Sequence, residues 1–208
     1  MSLLDLLSTR RSIRKFKNTP IPDELILDIL NAAILAPSAS NSQPWRFLIV
    51  KDKDVINNMY QAVQKEIMSL ASEIPSNTKE NFYEYTNFFF RFAEAPLIII
   101  PIYKVVDILS ASIEEYFSEH RLTDIHFMER QSALISISLA IQNLLLYIHE
   151  INMGATCMTG PLIANSELKK ILSVPDKWQI TMLIPVGYPD EFPSPKTRKP
   201  VDRIVKWI

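Results

Sequence analysis

A chain of 208 residues, 48% hydrophobic and 22% charged, can bury one substantial core, and a formal net charge of −1 gives no global field to hold nucleic acid or an anionic membrane. The single cysteine, Cys157, excludes an internal disulfide framework and a multi-cysteine metal site, and fits a reducing compartment, here the cytoplasm. Gly154, Gly160 and Gly187 are the only glycines, which excludes the glycine-rich phosphate loops of nucleotide folds; a bound phosphate would be held by side chains.

Leu3, Leu4, Leu6 and Leu7 predict a short helix closed by Ser8, Thr9 and Arg10; Asp5 inside the run and the lack of a basic flank or cleavage pattern argue against a signal peptide. The basic run Arg10 to Lys17 leads into Pro20 and Pro22. Asp23 is the expected cap of the next helix, on which Leu25, Ile26, Ile29, Leu30, Ala33 and Ile34 recur at helical spacing until Pro37 ends it. A polar loop follows, and Pro44 is expected to push Gln43 towards an extended conformation so that Trp45 opens a strand over 46–50. Asp52 or Asp54 caps an amphipathic helix reaching about Ser72, and 74–77 reads as a loop. The aromatics Phe82, Tyr83, Tyr85, Phe88, Phe89, Phe90 and Phe92 are read as core or dimer packing. Residues 95–103 are β-branched and apolar, predicting a buried central strand with Pro96 at its start and Pro101 near its end.

Residues 104–130 fit no single period and read as a partly helical excursion, with Glu114, Glu115 and Glu119 on a solvated face. A helix is predicted over 129–150, apolar around most of its cylinder and so central to the fold or to a dimer. Its apolar-rich run, Ala133 to Ile148, falls short of the roughly 18 residues of a membrane span, so no membrane role is expected. Strands are expected over 153–159, with Cys157 a small buried residue in the first of them, and over 179–187, separated by a short helix at 166–172. The tail from Tyr188 onward carries Pro189, Pro193, Pro195 and Pro200 and needs a partner surface. His120, His126 and His149 have no metal spacing, so no metal is expected. No repeat or composition shift divides the chain; residues 1–208 read as a single α+β domain.

Two spaced motifs carry more than composition does. Arg10-Arg-Ser-Ile-Arg-Lys-Phe16, followed by Ala36-Pro-Ser-Ala-Ser-Asn-Ser-Gln-Pro-Trp45, resembles the amino-terminal signature of the nitroreductase family, FMN-dependent oxidoreductases that work as homodimers. The resemblance implies a mostly antiparallel sheet flanked by helices, with carboxy-terminal segments exchanged across the dimer. It implies phosphate contacts from Arg10 and Ser12, with Arg11 between the motif's basic positions, and a flavin O2 contact from Arg14. Lys196 and Arg198 match the family's late phosphate-binding Lys-x-Arg. Pro37, Ser38, Ala39 and Asn41 match the loop that reaches FMN from the other subunit, and Gln43 belongs to the same loop. Thr159 and Gly160 fall where a backbone N–H approaches flavin N5, and a glycine there lets backbone come close to the ring. The chain departs from the pattern in having Thr159 where some relatives have an acid, and Met-Gly-Ala at 153–155 where many have Gly-Leu-Gly. Arg91 is a further basic candidate for the pyrimidine edge.

FMN makes three demands: partners for a dianionic phosphate, for a polar ribityl chain, and for a ring edge that becomes negative on reduction. Guanidinium groups suit the first and the last. The implied reaction is hydride transfer from NAD(P)H to flavin N5, then a ping-pong step to a small-molecule acceptor such as a nitroaromatic, a quinone, an enone or free flavin. No side chain is assigned as catalytic, because the chemistry belongs to the cofactor. By elimination the acceptor wall falls in 104–130, on Tyr116, Phe117 and Phe127; packing of that segment onto the body explains the same residues equally well. A reductive dehalogenase or flavin-destroying relative, and a flavin carrier or sensor without turnover, stay open as alternatives.

Overall fold

The computed structural model describes residues 2–208. Helix α1 (Leu3–Thr9) opens on a reciprocal cap: Ser2 Oγ accepts from the Asp5 N–H at 3.1 Å, and Asp5 Oδ2 accepts from the Ser2 N–H at 3.0 Å. Helix α2 (Asp23–Ile34) corrects one expectation, since Pro22 holds the cap position and Asp23 is the first helical residue. Its carboxylate pairs instead with Lys51 Nζ at 2.6 Å. Proline suits a helix start because its missing N–H would be unpaired there anyway. Strand β1 (Trp45–Val50) follows the polar loop, and Asp52 caps α3 (Lys53–Glu73) by accepting from the N–H groups of Asp54 and Val55. The expected loop at 74–77 is shorter than predicted, because Pro75 starts α4 (Ser76–Thr86), which runs into a 3₁₀ segment, Asn87–Glu94.

Strand β2 (Leu97–Lys104) is the hub of the sheet. The excursion after it holds a single helical turn, α5 (Ser110–Ile113), and a 3₁₀ turn, Glu114–Tyr116. Helix α6 runs from Glu119 to Glu150, beginning well before the predicted Glu129. The cause lies in its inner face: Leu122, Glu129, Ala133, Ser136, Ile137 and Ala140 are all buried at helical spacing, so one stripe continues through the polar first turns. At this length α6 contains an 18-residue window of mean hydropathy 1.5, long and apolar enough by those measures to cross a membrane. In the fold it lies against the sheet and α2, with Ile135 and Leu139 left on its outer side.

The sheet runs β1-β2-β5-β3, all antiparallel, and β4 also pairs with β2. Strand β3 is only Gly154–Ala155; the rest of the predicted 153–159 strand is held by a two-way backbone bridge between Met158 and Leu183, 2.9 Å each way. Helix α7 (Asn165–Ile171) then leads to β4 (Trp178–Ile180) and β5 (Ile184–Gly187), which replace the single strand expected over 179–187. The register gives the reason. Ile102 faces Ile180 while Ile99 faces Ile184, so Ile100 and Pro101 stand opposite the three residues 181–183, a one-residue bulge. Pro101 has no N–H to offer there, and its carbonyl accepts from the Thr181 N–H at 2.9 Å.

Alternation along β2 divides the core in two. Leu97 and Ile99 pack with α2 and α6, whereas Ile98, Ile100 and Ile102 pack with α3, Phe92 and Leu168 of α7. Burying each such side chain contributes roughly 1.5–3 kcal/mol, which is why a strand apolar on both faces must lie between two helical layers. The tail from Asp190 onward has one short 3₁₀ turn, Val201–Arg203, and is exposed beyond Pro195.

Candidate functional site at the sheet edge

The basic run is fastened to the sheet by its backbone. Arg10 turns out of α1, Ser12 bridges Ala155 in parallel, and the Ile13 N–H donates to the Ala155 carbonyl at 3.0 Å. Further on, Phe16 lies opposite Pro189, the Lys17 N–H donates to the Tyr188 carbonyl at 2.9 Å, and the Asp190 N–H donates to the Lys15 carbonyl at 3.0 Å. Glu191 Oε1 adds a clamp, accepting from the N–H groups of Arg14 at 2.5 Å and Lys15 at 3.3 Å. Two glycines make the close approach possible: a Cβ on Gly154 would stand 2.7 Å from Ile13 Cβ, and one on Gly187 would stand 2.8 Å from Phe16 Cδ1.

The side chains of this run divide their tasks. Arg11 Nη1 donates to the carbonyls of Ser8 at 2.7 Å and Arg10 at 2.8 Å, so part of its guanidinium is used inside the turn. Arg14 is exposed, and its Nη1 reaches the Ser12 carbonyl at 3.4 Å. Burial, followed by the charges of Arg10 and Arg11, holds His149 at the end of α6 below its ordinary pKa; its Nε2 lies 2.9 Å from Thr9 Oγ1. Arg11, His149, Asn152 and Phe192, with Pro193 and Pro195 from the start of the tail, line a cavity of about 390 Å³.

Thr159 and Gly160 follow Ala155 in the chain, just past the Met158–Leu183 bridge. Thr159 is exposed, and Gly160 opens a 3₁₀ helix, Gly160–Ala164, whose first carbonyl bond runs from the Leu162 N–H to Thr159 at 3.0 Å. A Cβ on Gly160 would fall inside the contact shell of the Phe89 ring. Cys157 is exposed rather than buried in a strand, because regular pairing stops at Ala155.

The polar loop is a tight turn, not an extended lead-in. Ser40, Asn41 and Gln43 have φ of 51°, 50° and 44°. Left-handed backbone in residues with a Cβ costs about 1–2 kcal/mol each. Gln43 departs from the conformation expected before Pro44 because its N–H is captured by Ser38 Oγ at 3.0 Å and its amide nitrogen reaches Asn41 Oδ1 at 3.3 Å. The turn is fastened to α6 where the Ala39 N–H donates to Ser136 Oγ at 3.2 Å; the Ser136 hydroxyl in turn donates to the Ser132 carbonyl at 2.6 Å. Pro37, Ala39, Asn41 and Gln43 are exposed, and among the described residues no hydrogen bond or shared cavity joins them to Arg10–Arg14. Lys196 and Arg198 are likewise exposed, and Arg198 Nη1 donates to the Lys196 carbonyl at 3.4 Å. The structure therefore fastens 10–14 to the sheet edge at Ala155, packs Gly160 against Phe89, and leaves 37–43 and 196–198 facing outward.

Tyr116, Phe117 and Phe127 are all exposed, and the Tyr116 hydroxyl is drawn above its ordinary pKa by a hydrogen bond to Glu115. Sequence reading missed what holds their segment. Glu129, buried in α6, accepts from the Leu109 N–H at 2.7 Å, the Ser110 N–H at 3.1 Å and the Ser110 hydroxyl at 2.6 Å. Burial raises its carboxyl, but the hydrogen bonds from Ser110, Leu109 and Ile108 outweigh that and hold it below the ordinary 4.5. An acid inside an otherwise apolar helix stripe was the signal available for it. Arg91 is half-buried in the 3₁₀ segment that carries Phe89.

A profile described as "Nitroreductase family" matches residues 7–188. The putative NAD(P)H nitroreductase YfhC of Bacillus subtilis is 29% identical over 96% of this chain and 90% of its own length. Iodotyrosine deiodinase of Haliscomenobacter hydrossis is 30% identical over 88% of this chain and 77% of its own. Among solved structures, a BluB-like flavoprotein from Clostridium difficile superposes with a TM-score of 0.87 at 25% identity, covering 100% of this chain and 99% of that one. Oxidised iodotyrosine deiodinase bound to FMN and 3-iodo-L-tyrosine superposes at 0.73 with 26% identity, covering 100% and 99%. With a profile match across nearly the whole chain, and an antiparallel sheet between two helical layers, the protein belongs to the nitroreductase family.

Proposed function

We propose that the chain is an FMN-dependent oxidoreductase, a homodimer of the cytoplasm, that takes hydride from NAD(P)H and passes it in ping-pong order to a small oxidised acceptor such as a nitroaromatic, quinone or enone. The observation that carries this reading is the sheet edge, where the basic run is fastened to β3 at Ala155, four residues before Thr159 in the chain. The donor set fits FMN. Arg10 and Ser12 offer a guanidinium and a hydroxyl for the phosphate, and Arg14 keeps most of its guanidinium for the negative N1–O2 edge. Arg11, already bonded to two carbonyls, fits a supporting role. FMN held there would supply hydride exchange at N5, so no protein acid or base is required. Gly160 would let backbone lie against the ring.

The remaining family positions favour a second subunit. The 37–43 turn points outward while fastened from behind by Ser136, a geometry suited to reaching a neighbour's cofactor. Apolar side chains on α1, α2 and α6, among them Leu3, Leu4, Leu27, Ile34 and Ile135, are exposed in one subunit, as are Val201, Ile204 and Trp207 of the tail. Pairing would cover both sets and bring Lys196 and Arg198 to a phosphate. The exposed Tyr116, Phe117 and Phe127 would then be free to border the acceptor.

A second reading, reductive dehalogenation, is favoured by the deiodinase relatives and differs in acceptor, not in cofactor. The purified protein should be yellow, and Arg198→Ala should weaken FMN retention by roughly 1.5–3 kcal/mol. Stopped-flow reduction by NADH and NADPH, followed by reoxidation with a quinone or with 3-iodotyrosine, separates oxidoreductase, dehalogenase and carrier. Colourless protein that takes up no FMN in titration would overturn the proposal.

A further inference from the structure

We propose that the cavity between the basic run, the end of α6 and the start of the tail is a second binding site, for a small monocarboxylate with a flat apolar body, anchored by Arg11. The cavity measures about 390 Å³, within the range of small-molecule sites. Of the positions given to flavin above, only Arg11 lines it; Arg10, Ser12, Arg14 and the 159–160 turn do not. Among the described residues none beyond Pro195 lines it either, so its walls do not depend on the exposed tail. Arg11 Nη1 is held by the carbonyls of Ser8 at 2.7 Å and Arg10 at 2.8 Å, which fixes the guanidinium plane from one corner. Among the described residues no other hydrogen bond and no ion pair occupies that group. A planar cation that is oriented and half-buried, yet has no counter-charge, suits a carboxylate, whose two oxygens match the guanidinium fork.

The neighbours of Arg11 narrow the ligand. Glu191 lines the same cavity without pairing with Arg11, and its Oε1 accepts from the N–H groups of Arg14 at 2.5 Å and Lys15 at 3.3 Å. Its charge opposes a dianion such as a phosphate more than it opposes a monoanion. His149 adds no second cation, because burial, followed by the charges of Arg10 and Arg11, holds it below its ordinary pKa and leaves it neutral at neutral pH. The remaining walls are apolar: Ile13, Met153 and the rings of Pro189 and Pro193. Phe192 also lines the cavity while staying 94% exposed, a flat face that a bound ring would cover. Packing accounts for Ile13 and Met153, which are buried; it does not account for an arginine without a counter-charge sharing a cavity with an uncovered phenylalanine.

The test titrates the full chain, supplied with excess FMN, at neutral pH with phenylacetate as the probe. Phenylacetamide is the neutral control and phenyl phosphate the dianionic one. Binding is read by calorimetry and by the imidazole resonances of His120, His126 and His149, the only histidines. Phenylacetate should bind and move the His149 signal, identified by its loss in His149→Gln, while the other two stay in place. Arg11→Gln should weaken binding about ten- to a hundredfold, the scale of charge-assisted hydrogen bonds. Arg11→Lys, which keeps the charge and loses the fork, should weaken it less. Both controls should bind wild type at least about tenfold more weakly than phenylacetate. Wild type that gives neither heat nor a His149 shift overturns the inference, whatever the variants do. So does binding unchanged in Arg11→Gln, or phenyl phosphate held as tightly as phenylacetate. Wild type that takes up no FMN yet binds phenylacetate through Arg11 overturns the flavin reading and leaves this inference standing.

Discussion

The Arg10–Lys17 run and the tail carrying Lys196 and Arg198 are alike in composition and opposite in construction. Both are basic and irregular. The first is held by backbone bonds to Ala155, Tyr188 and Asp190, by the Glu191 clamp, and by two glycines that admit Ile13 and Phe16. The second has a turn at 201–203 and apolar side chains that nothing in the same subunit covers. The difference teaches that, in the dimer proposed above, one half of the phosphate site would be prebuilt while the other would wait for a second copy of the chain.

The sharpest way to break that comparison is to remove the second region and keep the first. A chain ending at Pro195 retains Glu191 and the fastened run, so it should fold with an unchanged far-ultraviolet spectrum yet lose both the dimer and FMN. Light scattering and flavin absorbance of the truncated protein check this, and a flavin-loaded dimer would show the tail to be dispensable. Next in size is Gly154→Ala, which sets a methyl against Ile13 Cβ, an atom too near its backbone to swing away. Overpacking of this kind costs about 1–3 kcal/mol. The melting temperature should fall and FMN affinity with it; no change in either would mean the run is fastened less tightly than its bonds indicate.

The smallest effect concerns the excursion, which stands between the two regions because one side chain holds it. Glu129 has its pKa lowered in the fold, so its clasp adds stability above about pH 4.5 and loses it as pH falls through the lowered native value. Glu129→Gln should cost about 1 kcal/mol at neutral pH and flatten the acid limb of a melting-temperature profile. Protease nicking at 105–118 in acid, present in wild type and independent of pH in the variant, reads the same event locally.

What the sequence disclosed follows from the range of each interaction. Asp52, the hub strand and α2 were legible because caps, β-branched runs and helical spacing act within a few residues. The early start of α6 was hidden because Leu122 and Glu129 declare their face only against a distant partner. Gln43 misled because a rule about its neighbour, Pro44, was overridden by a hydroxyl five residues back. The position of Cys157 depended on where β3 stops pairing, and the contact of Phe89 with Gly160 spans some seventy residues that no window covers. The fold and the family were open to local reading; the conformation of the polar loop and the contacts of the turn at Gly160 were not.

The union of Lys15 and Lys17 with Tyr188 and Asp190 also sets a sequence of events during synthesis. The basic run is made about 170 residues before its partners, so its closing bonds wait until Tyr188, Asp190 and Glu191 have emerged. Loop closure over such a distance is slow and comes late. Until then α2, α3 and the β1–β2 pair can assemble while the edge meant for residues 10–17 stands open. A ribosome stalled near Ile180 would therefore carry a half-built sheet with an unpaired border, and the cell's chaperones, rather than the flavin, would be the first to meet it.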